Sequence, residues 1–420
     1  MERGDIFKDV RNQEYLHASI TNSKFFRNYA EKGSGLYLHI NILDDVITQR
    51  NHNYWDWSFF PQISNPLEQT SIEQHYYITV NIDSCNFSNN TGIDGSGIYI
   101  KVLRGNIQEK STYSVTLTVS RTVFDRNNAN GSGEGIFIIA RRSSGSRLDP
   151  FSFWDTFDFS YDYNSKSLDG DAFISLRVVE SNFTRNSATS GSALLSEINL
   201  IIPLGYVILL RLYLDNTVNA KILINNSSFT ENINTAIQAI NTKLYLAGQV
   251  GFVGNSGHSG GAIDINEHSF LHLNPHAQVY FINNTALQFG GGIKLTTFIH
   301  LDSHAELYLI NNTALYGGAI AVITNYPSGY PCFIQVDGNI STSYAKVILM
   351  HNTAQKAGDS IYGGNLDSCS NAISILSVFE IIGTQSQSEI ASKPYKVCFC
   401  PNTFTVHSCQ TTSNATVFRG

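Results

Sequence analysis

Apolar and polar residues alternate in short bursts along this chain. Runs such as Leu36-Tyr37-Leu38, Ile98-Tyr99-Ile100, Ile136-Phe137-Ile138, Ile263-Asp264-Ile265, Ile293-Lys294-Leu295 and Ile320-Ala321-Val322 each follow a glycine. A period of two sends successive side chains to opposite faces, so these runs predict strands with one buried face. No stretch sustains a period of 3.6, and no helix is expected.

The bursts themselves recur. Residues 299–315 repeat residues 271–287 position for position, with a period of 28 residues and no gap. His272 recurs as His300, Asn274 as Asp302, His276 as His304, Tyr280 as Tyr308, and Asn283-Asn284-Thr285-Ala286-Leu287 as Asn311-Asn312-Thr313-Ala314-Leu315. One such unit holds three strand-like runs, at 262–266, 270–274 and 278–283. A unit this short cannot bury its own apolar face and must stack on its neighbours. Three short strands per turn, stacked at about 4.8 Å, predict an all-β fold with a single parallel β-helix.

A looser form of the cassette, Phe-x-x-Asn followed by a polar stretch and Gly, runs through most of the chain. Phe25 and Asn28 lead to Gly33, Phe87 and Asn90 to Gly95, Phe124 and Asn127 to Gly133, and Phe183 and Asn186 to Gly191. Phe229 and Asn232 open a copy without the glycine. Phe252 and Asn255 lead to Gly260-Gly261, Phe281 and Asn284 to Gly291-Gly292, Leu309 and Asn312 to Gly317-Gly318, and Leu349 and Asn352 to Gly358. The distance from Phe or Leu to Gly stays at eight to ten residues while the spacing of copies varies, so the variation is expected in loops outside the scaffold. Phe or Leu should point inward and stack on its equivalents, each burial contributing roughly 1.5–3 kcal/mol. Asn should take the corner, where its side chain tolerates left-handed backbone, and stacked asparagines can hydrogen-bond along the axis. Small residues after the turn allow sharp bends. All of these are scaffold roles.

The resulting organisation is a solenoid over 1–367, with insertions at about 42–77, 141–170 and 325–340, and a Cys-rich region over 368–420. A formal charge of −7 with only 15% charged residues argues against electrostatic nucleic-acid binding. The apolar run 198–214 holds Pro203, Gly205 and Arg211 and is too short for a membrane helix, so it reads as solenoid strands and no membrane span is expected. The amino terminus lacks the apolar core of a signal peptide, and Phe25 belongs to a repeat already under way; the expectation is a chain that starts inside its solenoid. Cys85 and Cys332 lie in the body, whereas Cys369, Cys398, Cys400 and Cys409 cluster late and are expected to staple a carboxyl-terminal cap as disulfides in an oxidising compartment. Ten Asn-x-Ser/Thr sequons among 40 asparagines favour a secreted glycoprotein only slightly.

Three groups carry candidate chemistry. His272 and His300 alternate with apolar residues and should face outward one rung apart, His276 and His304 form a second pair at the following turn, and with Asn274 and Asp302 between them they offer metal ligands. Duplication of a rung duplicates its surface, however, and a ladder without metal is the expectation. Asp264 over Lys294 reads as a cross-rung ion pair of small value. No set of acid, base and cation binder converges, so no catalytic, cofactor or metal residues are expected. The aromatic insertions are the better binding candidates: Trp55 and Trp57 lie in 51–77 and Trp154 in 141–170, and these are all three tryptophans of the chain.

Phe281-Ile282-Asn283-Asn284, with Gly260-Gly261-Ala262-Ile263 and Gly317-Gly318-Ala319-Ile320, resembles the repeats of the chlamydial polymorphic outer membrane proteins. Gly358-Asp359-Ser360-Ile361-Tyr362-Gly363-Gly364 and Val397-Cys398-Phe399-Cys400 are also similar to the endings of large multi-copy β-helix proteins of marine invertebrates. The resemblance covers residues 20 to 410 and is strongest from 250 to 400. It implies a right-handed parallel β-helix of the pectin-lyase-like kind, exported and displayed at a surface, and for the bacterial family adhesion. The bacterial proteins are carried by a carboxyl-terminal membrane barrel; no run of about ten amphipathic strands follows residue 410 in this sequence, so autotransport is not expected. The expected function is therefore non-enzymatic adhesion or recognition, or a structural scaffold, outside the cell or on its surface, with a glycan or protein ligand met by side loops. The alternative is a carbohydrate-active lyase or hydrolase.

Overall fold

The computed structural model of the chain describes residues 6–9, 15–42, 75–104, 112–131, 135–143, 174–188, 194–201, 220–240, 242–266, 269–323, 333–336, 344–363, 378–382 and 390–391. Within them the chain is all-β and every strand pairing is parallel. Successive strands go to different sheets and return in rotation. Ile6–Asp9, Leu36–Ile42, Ile98–Arg104 and Ile136–Ser143 begin an eleven-stranded first sheet, and Tyr15–Thr21, His75–Asp83 and Thr112–Ser120 begin a nine-stranded second sheet. Lys24–Phe26, Asn86–Ser88 and Val123–Asp125 begin a ten-stranded third sheet. This rotation is what a coil with one rung per turn requires. Leu271 pairs with Ile299, Phe281 with Leu309 and Thr285 with Thr313, so the 28-residue echo is one turn.

A fourth, short strand per turn was not legible in the pattern. Thr91–Asp94, Ser256–Ser259, Thr285–Phe289, Thr313–Tyr316 and Thr353–Ala357 form it, in two small sheets joined by bridges through Ser187 and Ile233. Its register shifts between Gly257 and Ser259 and between Ala314 and Tyr316, and such irregularity breaks the alternation that marks a strand in sequence.

The interior is one continuous apolar cluster running from Leu36 to Val378. Through it passes a column of phenylalanines, Phe25, Phe87, Phe124, Phe183, Phe229, Phe252 and Phe281, with ring centroids 4.5–5.0 Å apart and planes within 12° of parallel. Leu309 and Leu349 continue the column in register. Rung spacing imposes the face-to-face stacking, since free aromatic pairs prefer offset or edge contacts.

Beside this column runs the expected ladder. Asn28, Asn90, Asn127, Asn186, Asn232, Asn255, Asn284 and Asn312 each hand an amide hydrogen to the Oδ1 of the next asparagine, the last of them to Asn352, at 2.9–3.1 Å. The second amide hydrogen goes to the backbone carbonyl of the preceding rung, as from Asn284 to Phe252 at 2.9 Å. The backbone N–H of each also donates to that same Oδ1, for example Asn255 to Asn284 at 2.9 Å.

One expectation about these asparagines is corrected. The left-handed backbone belongs to the residue before each of them: Arg27, Asn89, Arg126, Arg185, Glu231, Gly254, Asn283, Asn311 and His351, all with φ between +52° and +64°. The corner turns on that outward residue, and the asparagine then points inward to cap it. The second-to-third-sheet corner works similarly, with left-handed Ser84, Arg121, Glu180 and Asn226 followed by Cys85, Thr122, Ser181 and Ser227. Each of the last four donates to a backbone carbonyl two residues back, and Cys85 does so with its free, buried thiol, which burial pushes above the usual range. The turn glycine of the 281 copy is Gly290, with φ +63°, in register with Gly260, rather than the Gly291-Gly292 pair. A side chain at Gly291 would meet the backbone N and O of Thr313 at 2.6 Å, so the next rung can close over the turn only on glycine.

The expected insertion at about 325–340 is crossed by the strand Ile334–Val336, whose alternation pairs with Ile299–Leu301. Most of the insertions at 42–77 and 141–170, and nearly all of the region 368–420, lie outside the described residues.

Candidate functional site

Outward side chains of the second and third sheets come together between residues 242 and 350. Leu271, Leu273, Ile299 and Leu301 are fully buried, and alternation therefore drives His272 and His300 outward. Strand register places Tyr245 and His300 on either side of His272; its ring lies 4.9 Å from Tyr245 and 4.4 Å from His300. Asp302 follows at the corner, where its N–H donates to Leu273 O at 3.0 Å and its carbonyl accepts from Ala305 N at 3.1 Å. Its Oδ2 lies 2.9 Å from His272 Nε2, and its Oδ1 lies 3.4 Å from His300 Nε2. The three side chains are 14–20% exposed, partly sheltered and still reachable from solvent. Tyr245 was missed because it stands 27 residues before His272, outside the gap-free repeat of 28.

His276 and His304 are a different case. They stack at 4.8 Å with φ of +59° and +60°, and Tyr344, at +52°, packs 5.2 Å from His304. Histidine is one of the residues that tolerates left-handed backbone, so this pair is explained by its turn.

On the third sheet Tyr280 and Tyr308 stack at 4.7 Å. The Tyr308 hydroxyl donates to Glu306 Oε2 at 2.7 Å, and Gln278 Nε2 donates to the same oxygen at 3.1 Å. The Glu306 hydrogen bond, then burial and the glutamate charge, push the Tyr308 phenol up to about 12. The neutral phenol is the favoured form, so its contribution to stability is full below about pH 10, the ordinary tyrosine value, and is lost as pH rises through about 12. An alkaline absorbance titration, differenced against Tyr308→Phe, should show this group ionising near pH 12. Glu306→Gln should return it toward its ordinary value; an unmoved titration would refute the assignment.

Asp264 and Lys294 pair as expected but not as a surface contact. Their atoms are 2.8 Å apart with side-chain exposures of 12% and 15%. Burial pushes the Asp264 carboxyl up, and Lys294 opposes this. A pair so sheltered carries a desolvation penalty, and removing one partner leaves a buried charge, which corrects the reading of a small-value exposed bridge. A shallow polar depression on the third sheet, lined by Asn86, Asn89, Asp125, Asn182, Thr184 and Arg185, holds three sequon asparagines and an Arg185–Asp125 ion pair at 3.0 Å.

The structural motif residues from Phe25 to Asn352 thus sit in the scaffold. Trp55, Trp57, Trp154, Cys369, Cys398, Cys400 and Cys409 lie outside the described residues. Among the described residues no helix is long and apolar enough to cross a membrane. Compared with known proteins, the chain matches no family model, no curated protein and no solved structure.

Proposed function

We propose that the chain is a non-enzymatic, right-handed parallel β-helix of the pectin-lyase-like kind, extracellular or at the cell surface, that acts in adhesion or recognition through side loops. One observation carries this reading: connection length varies mainly at one corner. Between the second and third sheets the chain passes from Asp83 to Asn86, Ser120 to Val123, Val179 to Asn182 and Asn225 to Ser228 with two residues each, and later connections stay short, from one residue at Ala247 to Gln249 to nine at Val336 to Lys346. From the first sheet to the second the range is far wider, from one residue at Ile240 to Thr242 and three at Leu295 to Ile299 up to the long passages from Ile42 to His75, Ser143 to Ile174 and Ile201 to Ala220. A stiff framework that places its longest variable segments at one edge suits binding, because contacts on loops can change without disturbing the core. Ile42, Arg104 and Arg142 are in register, so the two tryptophan-bearing insertions leave the same edge about 10 Å apart.

The test is a glycan array run beside a lyase assay on uronate polymers, with the full chain and with Trp55→Ala and Trp154→Ala. Binding that falls at least about tenfold in either variant, the size of a buried aromatic hot spot, is expected. Product release independent of both tryptophans would overturn the adhesion reading and favour the carbohydrate-active enzyme.

A further inference from the structure

We propose that His272, His300 and Asp302 form a binding site for one divalent ion of the borderline class, represented by Zn2+. It stands independently of the adhesion reading, because it uses two strand residues and one corner residue and none of the side loops.

Three features carry it. The first is geometry. One nitrogen from each imidazole and one carboxylate oxygen all lie within 4.8 Å of one another. Ligands sharing an ion at about 2.1 Å can be no more than about 4.2 Å apart, so a small tilt of the rings closes the site. The strands fix the two Cα atoms one rung apart, and the corner hydrogen bonds of Asp302 fix the third ligand.

The second feature is donor chemistry. Two neutral imidazoles and one carboxylate suit Zn2+, Co2+ or Ni2+, whereas Ca2+ calls for six to eight oxygens. The carboxylate turns one oxygen toward each histidine, so an ion entering between them exchanges the 2.9 Å His272–Asp302 contact for bonds to all three groups.

The third feature is a departure from the repeat. Duplication accounts for the match of His272 with His300, but the two rungs differ two residues later, with Asn274 in one and Asp302 in the other. The carboxylate stands beside the two imidazoles. The anionic ligand is therefore the one residue of the three that the repeat does not hold in both copies.

The experiment titrates the full chain, stripped with chelator, with Zn2+ alone by calorimetry and in parallel with Ca2+ alone. His300→Gln and Asp302→Asn are compared with His304→Asn, which changes the neighbouring pair at a left-handed turn. His272→Phe keeps a ring against Tyr245 while removing the ligand nitrogen. Circular dichroism without metal should be the same for all four variants, since the altered side chains face outward. The expected result is a Zn2+ component weakened at least about tenfold in His272→Phe, His300→Gln and Asp302→Asn, unchanged in His304→Asn, and absent with Ca2+. A Zn2+ isotherm identical in the unmodified chain and the first three variants overturns the site, as does the absence of any Zn2+ binding by the unmodified chain. Co2+ loading gives a second readout: a tetrahedral visible spectrum lost in His300→Gln supports the site, and one retained there assigns the ion elsewhere.

Discussion

Asn284→Ala is expected to destabilise the coil by about 2–6 kcal/mol, although it removes only a small polar group. Asn284 is fully buried, and its Oδ1 accepts from both the backbone N and the side-chain amide of Asn255 at 2.9 Å. Its own amide serves Phe252 O at 2.9 Å and Asn312 Oδ1 at 3.0 Å. Truncation orphans two buried donors on Asn255, each costing about 1–3 kcal/mol, and takes a donor from Phe252 O. Asn283→Ala is the control. Asn283 is exposed with φ +56°, and the substitution should cost only about 1 kcal/mol of left-handed strain. In a stacked array the loss is local, so amide exchange on the rungs around 255–312 is the measurement, supported by the thermal midpoint. Equal protection in the two variants would refute the ladder's energetic role.

Phe252→Ala should cost about 3–5 kcal/mol, because it leaves a void between Phe229 and Phe281, whose centroids lie 4.9 and 4.7 Å from that of Phe252. Phe252→Leu should cost less than about 1.5 kcal/mol. The reason lies in the chain itself: Leu309 and Leu349 occupy the same column and are fully buried. A leucine variant as unstable as the alanine variant would mean that ring stacking, rather than filled volume, holds the column.

Much of this scaffold was legible from residue spacing, and its exceptions have identifiable causes. Phe and Asn three apart marked a strand and its corner, and both residues proved inward-facing. The left-handed residue between them was assigned one place too late. A single left-handed step resets which side chains face inward, and alternation cannot register that reset. The fourth strand escaped for a related reason, since its bulges shift the register. Gly290 was passed over in favour of its two neighbours because a run of three glycines gives no internal clue to which one turns.

The candidate site divides along the same line. The histidine pairs were visible as an echo. The contact between His272 and Asp302 was not, because it joins a strand residue to a corner residue 30 positions later, a separation that matches no repeat. Tyr245 was hidden by one missing residue between rungs. The Asp264–Lys294 pair was placed correctly by register, but its shelter could not be read from two alternating residues.

By itself, then, the sequence determined a parallel coil of short strands, the identity of its inward columns and the length of one rung. These follow from a period of two and a period of 28, which are properties of residue order and survive any change in the loops. Tertiary structure alone decided which corner takes up the variable lengths, which outward charges are sheltered, and which ligand atoms meet around His272. Those outcomes depend on how many residues each connection consumes before the chain returns, and that number changes from turn to turn while the 4.5–5.0 Å spacing of the phenylalanine column does not.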